Sequence, residues 1–261
     1  FTYTGTTKEA ATAAATVVAN TNTTAEDVSI HGHTVSKDFA ASAAQSAKTL
    51  AAAINVETGT TGVTAKAQTY AKLLSTAASA TYSITLNGTS TGNFSIGSTS
   101  VGDAVTKINQ ISGTTGVTAA ASSDGSFVTL HHSQGEDISV INDSAGTDLD
   151  VVAVGFDGAT AGSTVISLAA TAGNDSTSVQ GNVQLTSSKS FSVTQAGTPA
   201  LGYFTTGSGS LASISNVGVK TQATATSSIA TIDGALEKIS SVRAELGALT
   251  NRLEYTVDNL T

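Results

Sequence analysis

The chain has 261 residues, a formal net charge of −8 and only 11% charged side chains, so its solubility rests on Thr, Ser, Asn, Gly and the backbone. No Lys/Arg cluster offers the electropositive stripe that a phosphate backbone needs, which sets nucleic acid aside as a partner, and the absence of Cys removes thiol nucleophiles, thiolate metal sites and disulfides together. Neither a run of about 18 apolar residues nor a basic-then-apolar leader is present, so no membrane span and no cleavable signal is read. Met is absent too, so Phe1 is not a translational start and an internal fragment or processed form is expected. The hydrophobic fraction of 39% leans on Ala, with 5% aromatics. Such a chain is expected to form thin, separate cores, as several small modules strung along its length.

In chain order, residues 1–25 read as a lead-in. Val28 and Ile30 alternate before Gly32 as a strand and turn, Leu50 and Ile54 follow at helical spacing, and Gly59-Thr60-Thr61-Gly62-Val63-Thr64-Ala65 closes the segment. The pattern then repeats. Ile84 and Leu86 alternate before Gly88, Val101, Val105 and Ile108 are helically spaced, and Ile108-Asn109 followed by Gly113-Thr114-Thr115-Gly116-Val117-Thr118-Ala119 duplicates Ile54-Asn55 and its sequel. Two related strand-helix-strand units are expected, 26–80 and 81–145. The Gly-Thr-Thr-Gly segments are read as helix ends in which glycine takes the left-handed conformation and Thr and Val resume a strand. A phosphate-cradling loop would need its glycines before a helix, and usually a Lys. In the second unit Phe127, Val128 and Leu130, then Ile138, Val140 and Ile141, suggest an added hairpin around Gly135. Residues 146–225 read as short strands, Val151 to Phe156, Val165 to Leu168, Val183 to Leu185, Phe191 to Val193 and Ile214 to Val219, with Pro199 in a connection.

From Thr226 the period changes. Ile229, Ile232, Leu236, Ile239, Val242, Leu246, Leu249 and Leu253 are separated by three or four residues only, which predicts one amphipathic helix over 226–261 with Ser227 or Ser228 as its cap. Gly234 and Gly247 each weaken it by up to about 1 kcal/mol relative to Ala, and the two successive steps of three from Leu236 to Val242 act as a stammer. The fold class expected is α+β, small β-rich modules with short helices followed by this long C-terminal helix. Its eight aliphatics are worth about 1.5–3 kcal/mol each when buried, yet residues 8–19 offer only Val17 and Val18 as large apolar partners. The stripe is therefore expected to pack on something outside this chain.

The residues of this helix resemble the C-terminal rod-domain helix of bacterial flagellin. Ile232, Asp233, Ala235 and Leu236 match its Ile-Asp-x-Ala-Leu opening, and Arg243, Leu246, Gly247, Ala248, Asn251 and Arg252 match its Arg-x-x-Leu-Gly-Ala-x-x-Asn-Arg centre. Val217-Gly218-Val219-Lys220-Thr221-Gln222 is similar to the strand leading into that helix, and the Gly-Thr-Thr-Gly-Val-Thr-Ala units resemble the flagellin inserted motif, also seen in the filament cap protein. The resemblance implies an exported, extracellular structural subunit of the flagellar filament, polymerising with other flagellin subunits through Ile229, Ile232, Leu236, Ile239, Val242, Leu246, Leu249 and Leu253. It also implies an N-terminal rod helix that is not recognisable in this sequence, an export chaperone and a filament cap as partners, and neither cofactor nor membrane. The hook-filament junction protein shares a similar helix and stands as an alternative, as does a surface adhesin or carbohydrate-binding module on a helical stalk.

Catalytic or metal-binding readings find little support. His31 and His33 alternate along one strand as two potential metal ligands with no third, and His131 and His132 point to opposite faces. Asp148 with Asp150 and Glu136 with Asp137 pair carboxylates in sequence, without the apolar neighbours that would raise one pKa. Gly88, Ser90 and Gly92 match Gly-x-Ser-x-Gly, but alternation resumes at Phe94 and Ile96, so a hairpin turn is expected where a nucleophile elbow needs a helix. The Asn-x-Ser/Thr triplets at Asn22, Asn87, Asn93, Asn142, Asn174 and Asn259 are the number chance gives in so Thr-rich a chain. We expect no enzyme.

Overall fold

A computed structural model describes residues 1–17, 27–77, 79–171, 173–196, 202–213, 218 and 222–260. The chain begins in β1 (Thr2–Thr4). The first unit follows as β2 (Val28–His31), β3 (Ser36–Phe39), α1 (Ala47–Val56), α2 (Thr58–Thr61) and β4 (Thr64–Ser75). The second runs through β5 (Ser79–Leu86), β6 (Thr89–Gly97), α3 (Gly102–Gln110), α4 (Ser112–Thr115), β7 (Val117–Ala121), β8 (Phe127–His132) and β9 (Ile138–Asn142). After it come β10 (Leu149–Val154), β11 (Ala161–Leu168), β12 (Ser176–Val179), β13 (Asn182–Thr186), β14 (Ser192–Gln195), β15 (Gly207–Ser208) and α5 (Gln222–Asp258). The architecture is α+β.

The duplicated motif builds one local structure twice. Ile54 and Ile108 are fully buried anchors of α1 and α3. The next residue of each pair, Asn55 or Asn109, turns its amide onto the returning strand: Asn55 donates from Nδ2 to the Ala65 carbonyl (2.8 Å) and accepts the Ala65 N–H at Oδ1 (2.7 Å). Asn109 does the same with Ala119, at 2.9 and 2.8 Å. An amide presents one donor and one acceptor just as a peptide does, so it stands in for a neighbouring strand. Glycines 59 and 113 lie inside the one-turn helices α2 and α4, whereas Gly62 (φ +70°) and Gly116 (φ +71°) are the left-handed caps. The last Thr before each cap, Thr61 or Thr115, donates to the carbonyl of Glu57 or Ile111 and accepts the N–H of Val63 or Val117.

The second unit is nested in the first. β8 lies between β4 and β7, with Leu130 opposite Ala71 on one side and Ala119 on the other. Its counterpart in the first unit is β13, where Leu185 lies opposite both Tyr3 of β1 and Ala65 of β4. In a second layer, β9 pairs with β5, setting Val140 against Leu86, just as β14 pairs with β2, setting Val193 against Ile30. The sequences agree, Val128-x-Leu130 with Ile138-Ser139-Val140 against Val183-x-Leu185 with Phe191-Ser192-Val193. The first unit therefore lacks its last two strands until the chain returns to supply them. The strung arrangement expected from composition is corrected on this point: the modules are small and each has its own core, but one interrupts the other. One core gathers Ile30, Leu50, Ile54, Val63, Leu185, Val193, Tyr203 and Phe204; the other gathers Leu73, Tyr82, Ile84, Leu86, Phe94, Ile108, Leu130, Val140 and Leu168.

β4 joins them. Its residues 64–68 pair with β13, residues 69–74 with β8 and residues 70–75 with β10. The hairpin expected around Gly135 does not form, because β8 belongs to the sheet of β4 and β9 to the sheet of β5, β6 and β12. Gly135 (φ +76°) makes the corner between sheets, where a Cβ would come within 2.4 Å of the Ala67 Cβ. The expected strand 214–219 and Pro199 lie outside the described residues, Gly218 excepted, as do Val18 and Asn22.

Candidate functional site

α5 spans 37 residues, about 55 Å at 1.5 Å per residue. It begins at Gln222, four residues before the position expected. Ser228 is consequently not its cap: it lies in the second turn, and its Oγ donates to the Gly218 carbonyl (2.8 Å) and accepts the Gly218 N–H (3.2 Å), fastening the helix to the chain that leads into it. The side chain of Ser227 lies outside the described residues.

The eight stripe residues Ile229, Ile232, Leu236, Ile239, Val242, Leu246, Leu249 and Leu253 are 39–62% exposed, and Val257 and Leu260 continue the exposed row. At that exposure roughly half of each side chain's burial energy is still unrealised, on the order of 10 kcal/mol in all before the cost of association. The contrast with the β body is sharp, since there Ile30, Leu73, Tyr82, Phe94 and Phe204 are covered almost completely. Of the family-motif positions, Arg243, Gly247, Asn251 and Arg252 are all exposed. A Cβ added at Gly234 or Gly247 meets nothing within 4 Å, so nothing described in this chain requires glycine at either place.

β1 lies beside the segment around Ser210. Thr2 and Ser210 exchange backbone hydrogen bonds (2.8 and 2.9 Å), and the Tyr3 hydroxyl donates to the Thr205 carbonyl (2.7 Å). No periodicity marks this junction, and the sequence reading missed it. β4 and β10, which lead into and out of the nested unit, are likewise antiparallel neighbours.

The other candidate groups are structural. His31 ends β2 with both ring nitrogens on hydroxyls, Ser36 at 2.9 Å and Thr194 at 3.1 Å, while His33 is exposed in the bend beyond it, so the two do not share a strand face. His131 stacks on Tyr70 (4.3 Å between centroids) and His132 is buried beneath Gly116 on the other face. Asp148 precedes β10 and accepts the Ala170 N–H. Glu136 pairs with Lys48 at 3.1 Å; burial pushes its carboxyl up, and the bonds from Lys48 and Ser46 together with the Lys48 and His132 charges hold it below the usual range. Gly88 sits in the tight β5–β6 hairpin after Asn87 (φ +45°), with Leu86 opposite Thr89. Among the described residues no three His, Asp or Glu side chains are grouped to hold a metal ion, and no helix is long and apolar enough to cross a membrane.

No protein-family model matches the chain. It is similar to the B-type flagellin of Pseudomonas aeruginosa, 42% identical over 86 residues, which cover 33% of this chain and 18% of that flagellin. The similarity thus spans less than a fifth of the relative's length.

Proposed function

We propose that the chain is a flagellin-like structural subunit of a bacterial flagellar filament, outside the cell, with no catalytic role. In this reading α5, residues 226–261 by the sequence boundaries, is a rod-domain helix that packs its stripe against an N-terminal rod helix and against other subunits. The β body is the variable outer part, its two related units corresponding to inserted motifs. An export chaperone and the filament cap act on the chain before and during assembly. The observation that carries the reading is the helix: eight aliphatics stand half-exposed along one stripe of a chain whose β body buries most of its large apolar side chains, with scattered exceptions such as Val35, Val56 and Val165. The paired incoming and outgoing segments at Thr2 and Ser210 support it, since a body inserted between two rod segments must be approached and left at one place. The partial similarity to B-type flagellin supports it as well.

The test is to extend the chain with whatever its gene encodes upstream of Phe1, and to follow helicity and melting temperature together. Both rise when a heptad-patterned segment is restored. If no such segment is encoded, or if neither quantity changes, α5 is not an assembly helix.

A further inference from the structure

The seam where the nested unit meets its host lies at the Gly135 corner, and the β4–β8 ladder ends there in adjacent histidines on opposite faces, His131 across from Tyr70 and His132 across from Thr69. His132 is buried and His131 half-buried, and His131 Nε2 and His132 Nδ1 are covered with no hydrogen-bond partner. A buried imidazole without an acceptor tolerates the neutral form and disfavours the charged one.

The charges around the two rings come from every element of the seam. On the His131 face β4 presents Tyr70, with Lys66 to one side and Lys72 (over the Phe127 ring at 4.7 Å) to the other, and Asp157 lies near the Tyr70 hydroxyl from the turn after β10. β7 contributes Thr118 and no charge. Around His132 stand Glu136 from the Gly135 corner and Lys48 from α1, with Gly116 closing over the ring. These last groups also bridge the units: the Lys48 ammonium pairs with Glu136, the Lys48 N–H donates to the Gly135 carbonyl (3.1 Å), and the Thr69 hydroxyl donates to the Glu136 carbonyl (2.6 Å). Gly181 threads the same junction, where a Cβ would fall 2.7–2.8 Å from Ala47, Gly135 and Thr69.

We propose that this seam is an acid-sensitive joint, at which protonation of His131 and His132 loosens β8 from β4 and opens the nested unit while the core of its host persists. Burial, then the neighbouring His132 and Lys66, lower the pKa of His131; burial lowers that of His132, with Glu136 opposing and Lys48 assisting. A histidine depressed in the folded state binds its proton more readily when the seam opens, so the stability it lends is intact above the unfolded value of about 6.5 and is lost as pH falls from there through the folded pKa. The seam carboxylate Glu136 is depressed from 4.5 and lends stability that is lost only below that range, so the two effects occupy separate pH windows.

The test combines imidazole NMR titration with hydrogen exchange and melting of the full chain between pH 7.5 and 5. Both histidines titrate below 6.5, exchange at residues 127–132 and 69–75, taken relative to the unfolded-chain rate at the same pH, accelerates at pH 5 ahead of exchange at 47–56, and Tm falls by about 3–8 °C. The double variant His131→Gln, His132→Gln flattens that pH dependence. Histidines titrating at or above 6.5 in the unaltered protein, or exchange accelerating equally in the seam and in α1, would overturn the proposal whether or not the variant folds; so would a variant as pH-sensitive as the original.

Discussion

Asn55 and Asn109 show how a single side chain fixes a unit. Each makes two hydrogen bonds to one backbone residue, and at about 0.5–1.5 kcal/mol per bond the change Asn55→Ala or Asn109→Ala costs roughly 1–2 kcal/mol in urea unfolding. The two act in different cores, so their effects add within about 0.5 kcal/mol in the double variant. The cap glycines separate two effects that the sequence presents as equal. At Gly62 only the left-handed backbone resists a side chain, because the space beside it is open, and Gly62→Ala costs about 1 kcal/mol. At Gly116 the new Cβ also falls 2.4 Å from His132 Nε2, so Gly116→Ala costs more by a measurable margin in the same assay; equal costs would show that the ring moves aside freely. Glu9 illustrates a different control. Burial pushes its carboxyl up, but hydrogen bonds from Ser163 and Thr164 hold it below 4.5, occupying two N–H groups on the outer strand β11. That clamp is present above the unfolded pKa and released as pH falls below it, so Glu9→Gln removes part of the stability loss seen below about pH 4.5.

At the level of elements, α5 and the strands obey different rules. A strand pairs with whatever neighbour the chain supplies, while a long helix satisfies its own backbone and leaves only its stripe to be covered. Replacing Leu236 and Leu246 by Ser therefore shifts the unfolding of the β body by no more than about 0.5 kcal/mol, since neither residue belongs to a core. Gly234→Ala with Gly247→Ala raises helix content by circular dichroism, each substitution favouring helix by about 0.8–1.0 kcal/mol. If helicity stays unchanged, the helix is limited by something other than its own propensity. The β5–β6 hairpin, the paired Gly-Thr-Thr-Gly caps and the period of α5 were legible in sequence because each is set within a few residues. The Gly135 corner was not, because alternation on both sides of a glycine looks the same whether the second strand folds back or crosses to another sheet.

For the whole molecule, nesting has a direct consequence. Gln68 of β4 and Asn182 of β13 are register partners, so residues 69–181 can be replaced by a two-residue Asn-Gly turn that closes the host as a hairpin. The shortened chain is expected to unfold cooperatively with the core of Ile30, Leu50, Ile54, Leu185, Val193 and Phe204 intact. A non-cooperative melt would mean that the host depends on its insert.

The sequence by itself determined the repeated unit, the left-handed caps, the separate small cores and the long helix with an uncovered stripe, since these follow from side-chain size, periodicity and local backbone preference. Only the tertiary structure decided that one unit interrupts the other, that β4 serves both, and that two histidines lie beside the corner where they meet. Strand pairing between β4 and β13 or β1 and β13 joins residues more than a hundred positions apart, and alternation tells which face of a strand is buried without telling which strand lies beside it.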